Sequence, residues 1–259
     1  MKNDLKKIFI IARYTFMEIY KSKIMMSIVF LGLALIVVSF VASEFSYGVP
    51  ERIALDFGFG SLTLSSVGMA IFIGVNLIAK EIENRTVYMT LSRPVRRYSF
   101  LLGKILGLSC ILWVNILLLG ILSIGFFLYL GGEFTPLLLW MIFFAFLEAL
   151  LAMLIVMLFS LVTNITMSVV YTLAIYIAGH AINDLSLLPY VKANPWLEET
   201  INLYSWLFPN FSKINIKDYA IYKQNLSLVY LSSAGAYALC YATMLLMLAG
   251  LIFQKKNLD

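Results

Sequence analysis

Long stretches without a charged side chain constrain this chain more than any other feature. A helix needs about 20 apolar residues to cross the hydrocarbon core of a bilayer, and most of these stretches reach that length. Strands of a membrane barrel would instead alternate in polarity at every second residue. The sequence therefore predicts an all-α membrane protein with six transmembrane helices. The charge-free or nearly charge-free runs cover residues 24–43, 57–79, 105–132, 134–167, 168–183 and 224–254, and the break between the fourth and fifth spans is expected near residues 163–166.

The composition agrees with a lipid environment. Only 13% of the residues are charged and 62% are hydrophobic, whereas soluble domains have about 25% charged residues. A soluble protein with so few charges could not cover its surface with polar groups. The sequence contains no polar segment long enough for a sizeable soluble domain, so residues 1–259 are interpreted as a single transmembrane domain.

Lysine and arginine positions predict the orientation. With six spans both termini lie on the same side, and placing them in the cytoplasm puts fourteen Lys and Arg inside and five outside. Cytoplasmic segments of membrane proteins carry such an excess. The net charge of +5 therefore requires no nucleic-acid partner. The five residues assigned outside are Arg52, Lys192, Lys213, Lys217 and Lys223.

Two further segments are predicted to lie at the membrane surface. Residues 1–23 have apolar side chains at helical spacing, which predicts an amphipathic helix with its lysines toward anionic lipid. A mere anchor and a partner-binding helix both fit this pattern. Residues 183–225 contain three prolines and several Trp and Tyr. Such aromatic residues favour the headgroup zone, so short interfacial helices are predicted there, with an irregular loop as the alternative.

A few polar residues within the spans are candidates for function. Glu148 is the only carboxylate deep in a span. Intramembrane charges are costly and often functional, but a carboxyl group that joins helices by hydrogen bonds fits equally. His180 is the only histidine and is interpreted as interfacial. Cys110 and Cys240 both fall in spans, where they are interpreted as small packing residues rather than a disulfide.

The connection between the second and third spans has an unusual charge pattern. Residues 80–104 read KEIENRTVYMTLSRPVRRYSFLLGK. A loop that faced only lipid would carry Lys and Arg and little else, whereas here Glu81 and Glu83 directly follow the second span. Acidic groups are repelled by an anionic leaflet. The pair therefore indicates a protein partner.

The second half of this connection predicts a short helix that returns to the membrane. Pro94 suits the first turn of such a helix. Gly103 and Gly107 form a G-x-x-x-G step, which lets another helix approach closely. Three basic residues at spacing i, i+3 and i+4 share one helical face. They are Arg93, Arg96 and Arg97.

These residues resemble the loop between the second and third spans of type-2 ABC exporter permeases. In that family an acidic pair, Arg or Gly with Thr, Leu-Ser-x-Pro-x-x-Arg and a closing Gly-Lys recur. The segment LFPNFSKINIKDYAIY, residues 207–222, is similar to a branch that includes the permease serving nitrous-oxide reductase maturation. Arg85 stands where Gly is common in the family. The matching positions are Glu81, Glu83, Arg85, Thr86, Leu91, Ser92, Pro94, Arg97, Gly103 and Lys104.

The resemblance implies that residues 80–104 are a coupling helix, which sits in a groove of a separate ABC ATPase and transmits ATP-driven closure to the spans. It implies two copies of that ATPase, which bind ATP and Mg, and a second, identical permease chain in a bacterial or archaeal plasma membrane. An amphipathic or lipid-like exported substrate is expected. The residues expected to couple to the ATPase are Glu81, Glu83, Arg85, Thr86, Ser92, Arg93, Pro94, Arg96 and Arg97.

The rest of the sequence agrees with a subunit that performs no chemistry itself. It contains no G-x-x-x-x-G-K-[ST] motif for nucleotide binding. No residue pattern indicates a catalytic site, a metal site or a cofactor on this chain. The alternative is a membrane protein outside the ABC class. A secondary transporter would have broken helices and several buried ionisable groups, and an intramembrane enzyme would have paired catalytic side chains.

Overall fold

The protein is a bundle of α-helices, described by a computed structural model over residues 2–21, 23–45, 50–83, 96–222 and 224–255. No strand occurs among these residues. The side chains of residues 2, 3, 23–29, 31, 35, 39 and 76–83 lie outside the description. The helices are α1 (Lys2–Tyr20), α2 (Lys23–Glu44), α3 (Pro50–Glu83), α4 (Arg97–Tyr129), α5 (Leu137–Val162), α6 (Ile165–Leu187), α7 (Pro189–Ala193), α8 (Pro195–Leu207), α9 (Lys217–Ile221) and α10 (Leu228–Lys255), with a 3₁₀ turn at Phe211–Lys213.

Five helices among the described residues are long and apolar enough to cross a membrane. They are α3 as far as Val75, α4, α5, α6 and α10. The helix α2 coincides with the first predicted span. Its described apolar stretch, Gly32–Glu44, is too short to cross a membrane by itself. The all-helical membrane fold is therefore confirmed, and the sixth span stays a prediction.

The helix α5 lies at the centre of the bundle. It packs against α3, α4, α6 and α10. In the most apolar stretches of α5 and α3, 72% of the residues are buried inside the protein, but only 22% in α6. Neighbouring helices rather than lipid therefore cover most of α5. The core of the molecule therefore lies along α5 and the adjoining side of α3.

The break between α5 and α6 falls where the sequence predicts it. The backbone at Thr163 is extended, and its N–H and Oγ1 both donate to the Phe159 carbonyl oxygen, at 2.7 and 2.9 Å. Thr163 Oγ1 also lies 3.1 Å from Ser168 Oγ, in the first turn of α6. These hydrogen bonds satisfy groups that a helix end leaves without partners. The two threonines and the asparagine at residues 163–166 thus separate two antiparallel helices.

The segment between α6 and α10 is helical but is not confined to a surface. Pro189 and Pro195 open α7 and α8 at the helical position that tolerates a missing N–H. Further along, Phe211 and Ile214 are fully buried in the main core. The short helices of the prediction are present, whereas the burial of this second part was not predicted. Their position at the membrane surface stays a prediction.

The amphipathic helix α1 packs along α4. Its predicted apolar residues divide in two, because Ile19 is buried, as is the polar Thr15, while Phe9 and Tyr20 are exposed. The buried residues pack against α4. The exposed residues form an apolar stripe that no described part of the protein covers. A pattern of apolar residues alone does not distinguish the packed side from the exposed one.

Candidate functional site

The predicted coupling residues lie around the gap between α3 and α4. Glu81 and Glu83 are in the last turn of α3, where the backbone but not the side chains are described. Arg96 and Arg97 stand at the start of α4, with Arg96 at the N-cap position. Five of the predicted residues fall outside the described part of the chain. These are Arg85, Thr86, Ser92, Arg93 and Pro94.

The first turn of α4 is attached to the last turn of α10. Arg97 donates from a guanidinium nitrogen to the carbonyl oxygen of Gln254 at 3.1 Å. A helix end leaves its last carbonyl groups without partners and has a partial negative charge, so a cation there is favourable. Tyr98 packs on Gly250, where an added Cβ would lie 2.9 Å from the Tyr98 ring. Movement at the start of α4 would therefore reach α10 directly.

The same part of α4 is in backbone contact with α1. A Cβ added to Gly103 would lie 2.7 Å from Ile11 Cβ, and one added to Gly107 would lie 2.6 Å from the carbonyl oxygen of Ala12. Both distances are far below ordinary van der Waals contact, so the glycine step is what allows the two helices to approach. The helix α1 therefore packs against α4 at the end of residues 80–104, which are predicted to couple to the ATPase.

A second group of polar residues lies inside the bundle, between α5 and α6. Glu148 is 3% exposed. Its Oε1 accepts a hydrogen bond from the Tyr176 hydroxyl at 2.5 Å and lies 2.8 Å from His180 Nε2. Next to an ionised carboxylate, which offers only acceptors, Nε2 would have to carry the hydrogen of this pair. Tyr176 and His180 are four residues apart and therefore share one face of α6.

Aromatic residues cover this group from the segment that follows α6. The Phe211 ring stacks on His180, with 5.7 Å between centroids, and lies 5.1 Å from Tyr176. It fits because position 179 is glycine, where a Cβ would lie 2.6 Å from the Phe211 ring. Ser212 then donates from its hydroxyl to the His180 carbonyl oxygen at 2.6 Å. The ring excludes water from one side of the histidine.

Hydrogen bonds hold this covering segment, which runs from residue 188 to residue 216, to the helices on either side. Asn210 donates from its side-chain amide to Asn183 Oδ1 at 2.9 Å, and from its backbone N–H to the Tyr237 hydroxyl, also at 2.9 Å. The Tyr204 hydroxyl donates to the Ile175 carbonyl oxygen at 3.0 Å, and burial raises the pKa of Tyr204 to about 12. The segment is therefore fixed to α6 and α10 rather than lying loosely over them.

A cavity of about 100 Å³ opens beside Glu148, and we call it the Glu148 cavity. Lys217 lies at its edge and forms an ion pair with Asp56 of α3 at 2.5 Å between Nζ and Oδ1. Its lining combines apolar and aromatic side chains with polar ones. The lining residues are Phe59, Thr63, Met141, Phe144, Ala145, Glu148, Tyr176, His180, Ile214, Asn215, Ile216 and Lys217.

The chemistry of this group favours binding a charge over catalysing a reaction. A buried carboxylate beside a tyrosine and a histidine can hold a proton or a cation. Within the described part of the chain, no three His, Cys, Asp or Glu residues come together as a metal site would need. Cys110 and Cys240 are free thiols on exposed faces of α4 and α10, not packing residues of the interior as predicted.

Sequence reasoning found Glu148 but missed its partners. His180 was interpreted as an interfacial residue, and Tyr176 was not singled out among the 15 tyrosines. A signal did exist, because a tyrosine and a histidine at spacing i and i+4 present two hydrogen-bond donors on one face of an apolar helix. That face needs an acceptor when it is buried, and Glu148 is the only charged acceptor in the neighbouring span.

Comparison with known proteins identifies the family. A family model described as "ABC-2 family transporter protein" matches residues 8–258, nearly the whole chain. No curated protein matches the chain. Members of this family are membrane subunits that work with an ABC ATPase and are generally not catalytic themselves. With its bundle of apolar helices, the chain is a multi-pass membrane protein and belongs to the ABC-2 family of transporter proteins.

Proposed function

We propose that the chain is the permease of an ATP-driven exporter and that a separate ATPase docks on residues 81–97. Two ATPase copies bind ATP and Mg and drive two identical permease chains, in a bacterial or archaeal plasma membrane with all permease termini cytoplasmic. The substrate is amphipathic or lipid-like. The similarity of residues 207–222 to the nitrous-oxide reductase maturation branch is part of the same proposal.

One observation carries this proposal: α1 and α10 both contact the beginning of α4, directly after residues 81–97. The first turns of α4 contact α1 through Gly103 and Gly107, and contact the end of α10 through Arg97. A force applied between α3 and α4 would therefore act on α1 and α10 as well. A solvent-exposed loop that served only to connect two spans would need no such attachment.

The acidic pair supplies the means of testing the docking surface. One rim ion pair contributes only about 0–1 kcal/mol, so a single reversal would have a mild effect. The double variant E81K/E83K adds repulsion as well as removing attraction. We expect it to release the ATPase or to uncouple hydrolysis from transport, while the helices still insert in the membrane.

The experiment uses the tagged chain expressed in its native host. The partner is detected by photo-crosslinking with an azido-ATP probe, and hydrolysis is measured on the same purified complex. The matched control is E198K/E199K, which reverses two adjacent exposed carboxylates on α8, away from the proposed surface. Wild-type copurification together with wild-type hydrolysis in E81K/E83K would show that residues 81–97 are not the docking surface.

The buried Glu148–His180 pair favours one other function, secondary transport coupled to protons. Ionisable pairs of this kind form proton pathways in such transporters. The two functions differ in their need for ATP. Transport by the purified complex that continues when ATP is replaced by a non-hydrolysable analogue would favour secondary transport, and transport that stops would favour the ATPase-driven permease.

A further inference from the structure

We propose that the Glu148 cavity binds a protonated organic amine, whose ammonium group neutralises the Glu148 carboxylate. This deepens the function proposed above and rests on it, because a permease must bind what it carries. The ammonium group donates to the carboxylate, and the carbon part lies against the apolar lining. The chemical class is a primary amine, either small or the head of a longer amphiphile.

The carboxylate has an unused acceptor. Both hydrogen bonds to Glu148, from Tyr176 and from His180, end on Oε1. Among the residues that the structure describes, none donates to Oε2. A carboxylate has about four acceptor positions, and Glu148 is only 3% exposed. Glu148 lines the cavity, so Oε2 can accept a hydrogen bond from a ligand there, and the site is suited to a ligand that donates.

The charges around the cavity leave a negative excess when His180 is neutral. Lys217 lines the cavity, but its ammonium group is paired with Asp56 at 2.5 Å. The groups that face Glu148 from α6 are Tyr176, which is neutral, and His180. A buried charge without an opposite charge is strongly unfavourable. An ammonium ion removes that excess, whereas an anion would add to it. A protonated His180 would compete with the amine.

The size and the lining select an organic cation over a metal ion. A water molecule needs about 10–15 Å³ on this measure, so a cavity of about 100 Å³ holds a ligand of several heavy atoms. Phe59 and Phe144 belong to the apolar lining, almost wholly buried, as does Met141. A metal ion would need more carboxylate, imidazole or thiol ligands than this lining provides.

Binding is tested on the purified full-length chain in lipid nanodiscs without any ATPase, at pH 8. The probe is n-butylammonium chloride, and sodium chloride at the same concentration corrects for ionic strength. n-Butanol has the same chain without the charge, and butyrate has the opposite charge. Ligand binding raises the unfolding temperature of a protein. We expect butylammonium alone to raise the Tm of the wild type.

The variant E148Q keeps the size of the side chain and removes its charge. We expect its affinity for butylammonium to fall at least tenfold. The matched control is D184N, which removes a carboxylate from an exposed position of α6 outside the cavity, and it should bind like the wild type. Equal binding by E148Q and the wild type, or binding of butyrate or butanol but not of butylammonium, would overturn the proposal.

A second measurement needs no variant. Dicyclohexylcarbodiimide modifies carboxylates in apolar surroundings through the protonated form with which they exchange, and peptide mass spectrometry locates the modified residue. Butylammonium should reduce modification of Glu148 at least severalfold, and butanol should leave it unchanged. Absence of protection overturns amine binding. Since no ATPase takes part, such a failure has no bearing on the docking of the ATPase on residues 81–97. Failure of the docking test likewise has no bearing on amine binding.

Discussion

At the scale of single residues, Glu148 joins α5 to two side chains of α6. Glu148 stands out because it interrupts an otherwise uncharged run. Its partners Tyr176 and His180 follow 28 and 32 residues later, on another helix. The rotation of α6 about its own axis decides whether they face α5 or lipid. Because α6 is apolar all round, only the i, i+4 spacing of Tyr176 and His180 indicates that rotation in the sequence.

Tyr204 provides a pH-dependent test of how the covering segment is attached. Burial raises the pKa of its hydroxyl to about 12, from an ordinary value of 10. A raised pKa stabilises the folded state fully below pH 10, and this contribution is lost as the pH rises toward 12. The stability advantage of the wild type over Y204F should therefore be constant up to about pH 9 and shrink by pH 11.

The measurement is thermal unfolding of both proteins at pH 8, 9, 10 and 11. Y190F is the matched control, since Tyr190 is exposed on α7 in the same segment. Its difference from the wild type should not vary with pH in this way. A wild-type advantage over Y204F that stays level up to pH 11 would show that the Tyr204 hydroxyl is not held in buried surroundings.

At the scale of helices, runs without charge predict the existence of the spans better than their limits. The third run begins at residue 105, but α4 begins at Arg97. Hydropathy reports where lipid lies, whereas the helix continues into the region where Arg97 can bond to the end of α10. The break at residues 163–166 was predictable, because threonine and asparagine side chains compete for backbone hydrogen bonds.

The contact between α1 and α4 can be tested at Gly107. A Cβ at this position would lie 2.6 Å from the Ala12 carbonyl oxygen. Overpacking of this kind costs about 1–3 kcal/mol, so G107A should be less stable than the wild type and should loosen α1. The measurements are the midpoint of unfolding in a detergent titration and the protease sensitivity of residues 2–21.

The matched control for G107A lies on the same helix. Gly125 has nothing within 4 Å of an added Cβ. Alanine is a better helix former than glycine by about 0.5–1 kcal/mol, so G125A should be as stable as the wild type or slightly more stable. If G107A gained stability as G125A is expected to do, the close packing of α1 on α4 would be wrong.

At the scale of the whole molecule, the packing partners of each helix were beyond sequence reasoning. Composition predicts a helical membrane protein, and the charge pattern predicts its orientation. Which helix becomes central depends on side-chain fit between helices that are all apolar. The burial of Phe211 was equally beyond sequence reasoning. Its ring fits only because Gly179, which has no side chain, comes to face it in the folded protein.

The last prediction concerns the number of chains in the working complex. One chain offers only part of a translocation path in the proposed exporter, and its helices α6 and α10 are largely exposed, with 22% and 33% of their most apolar stretches buried. We expect two identical chains in each complex with two ATPase subunits. Native mass spectrometry of the purified complex would give the count, and coexpression of two differently tagged chains would show whether one retains the other. A complex that hydrolyses ATP and transports with a single permease chain would contradict the prediction. Copurification of a different permease chain in place of the second copy would contradict the identity of the two halves but not their number.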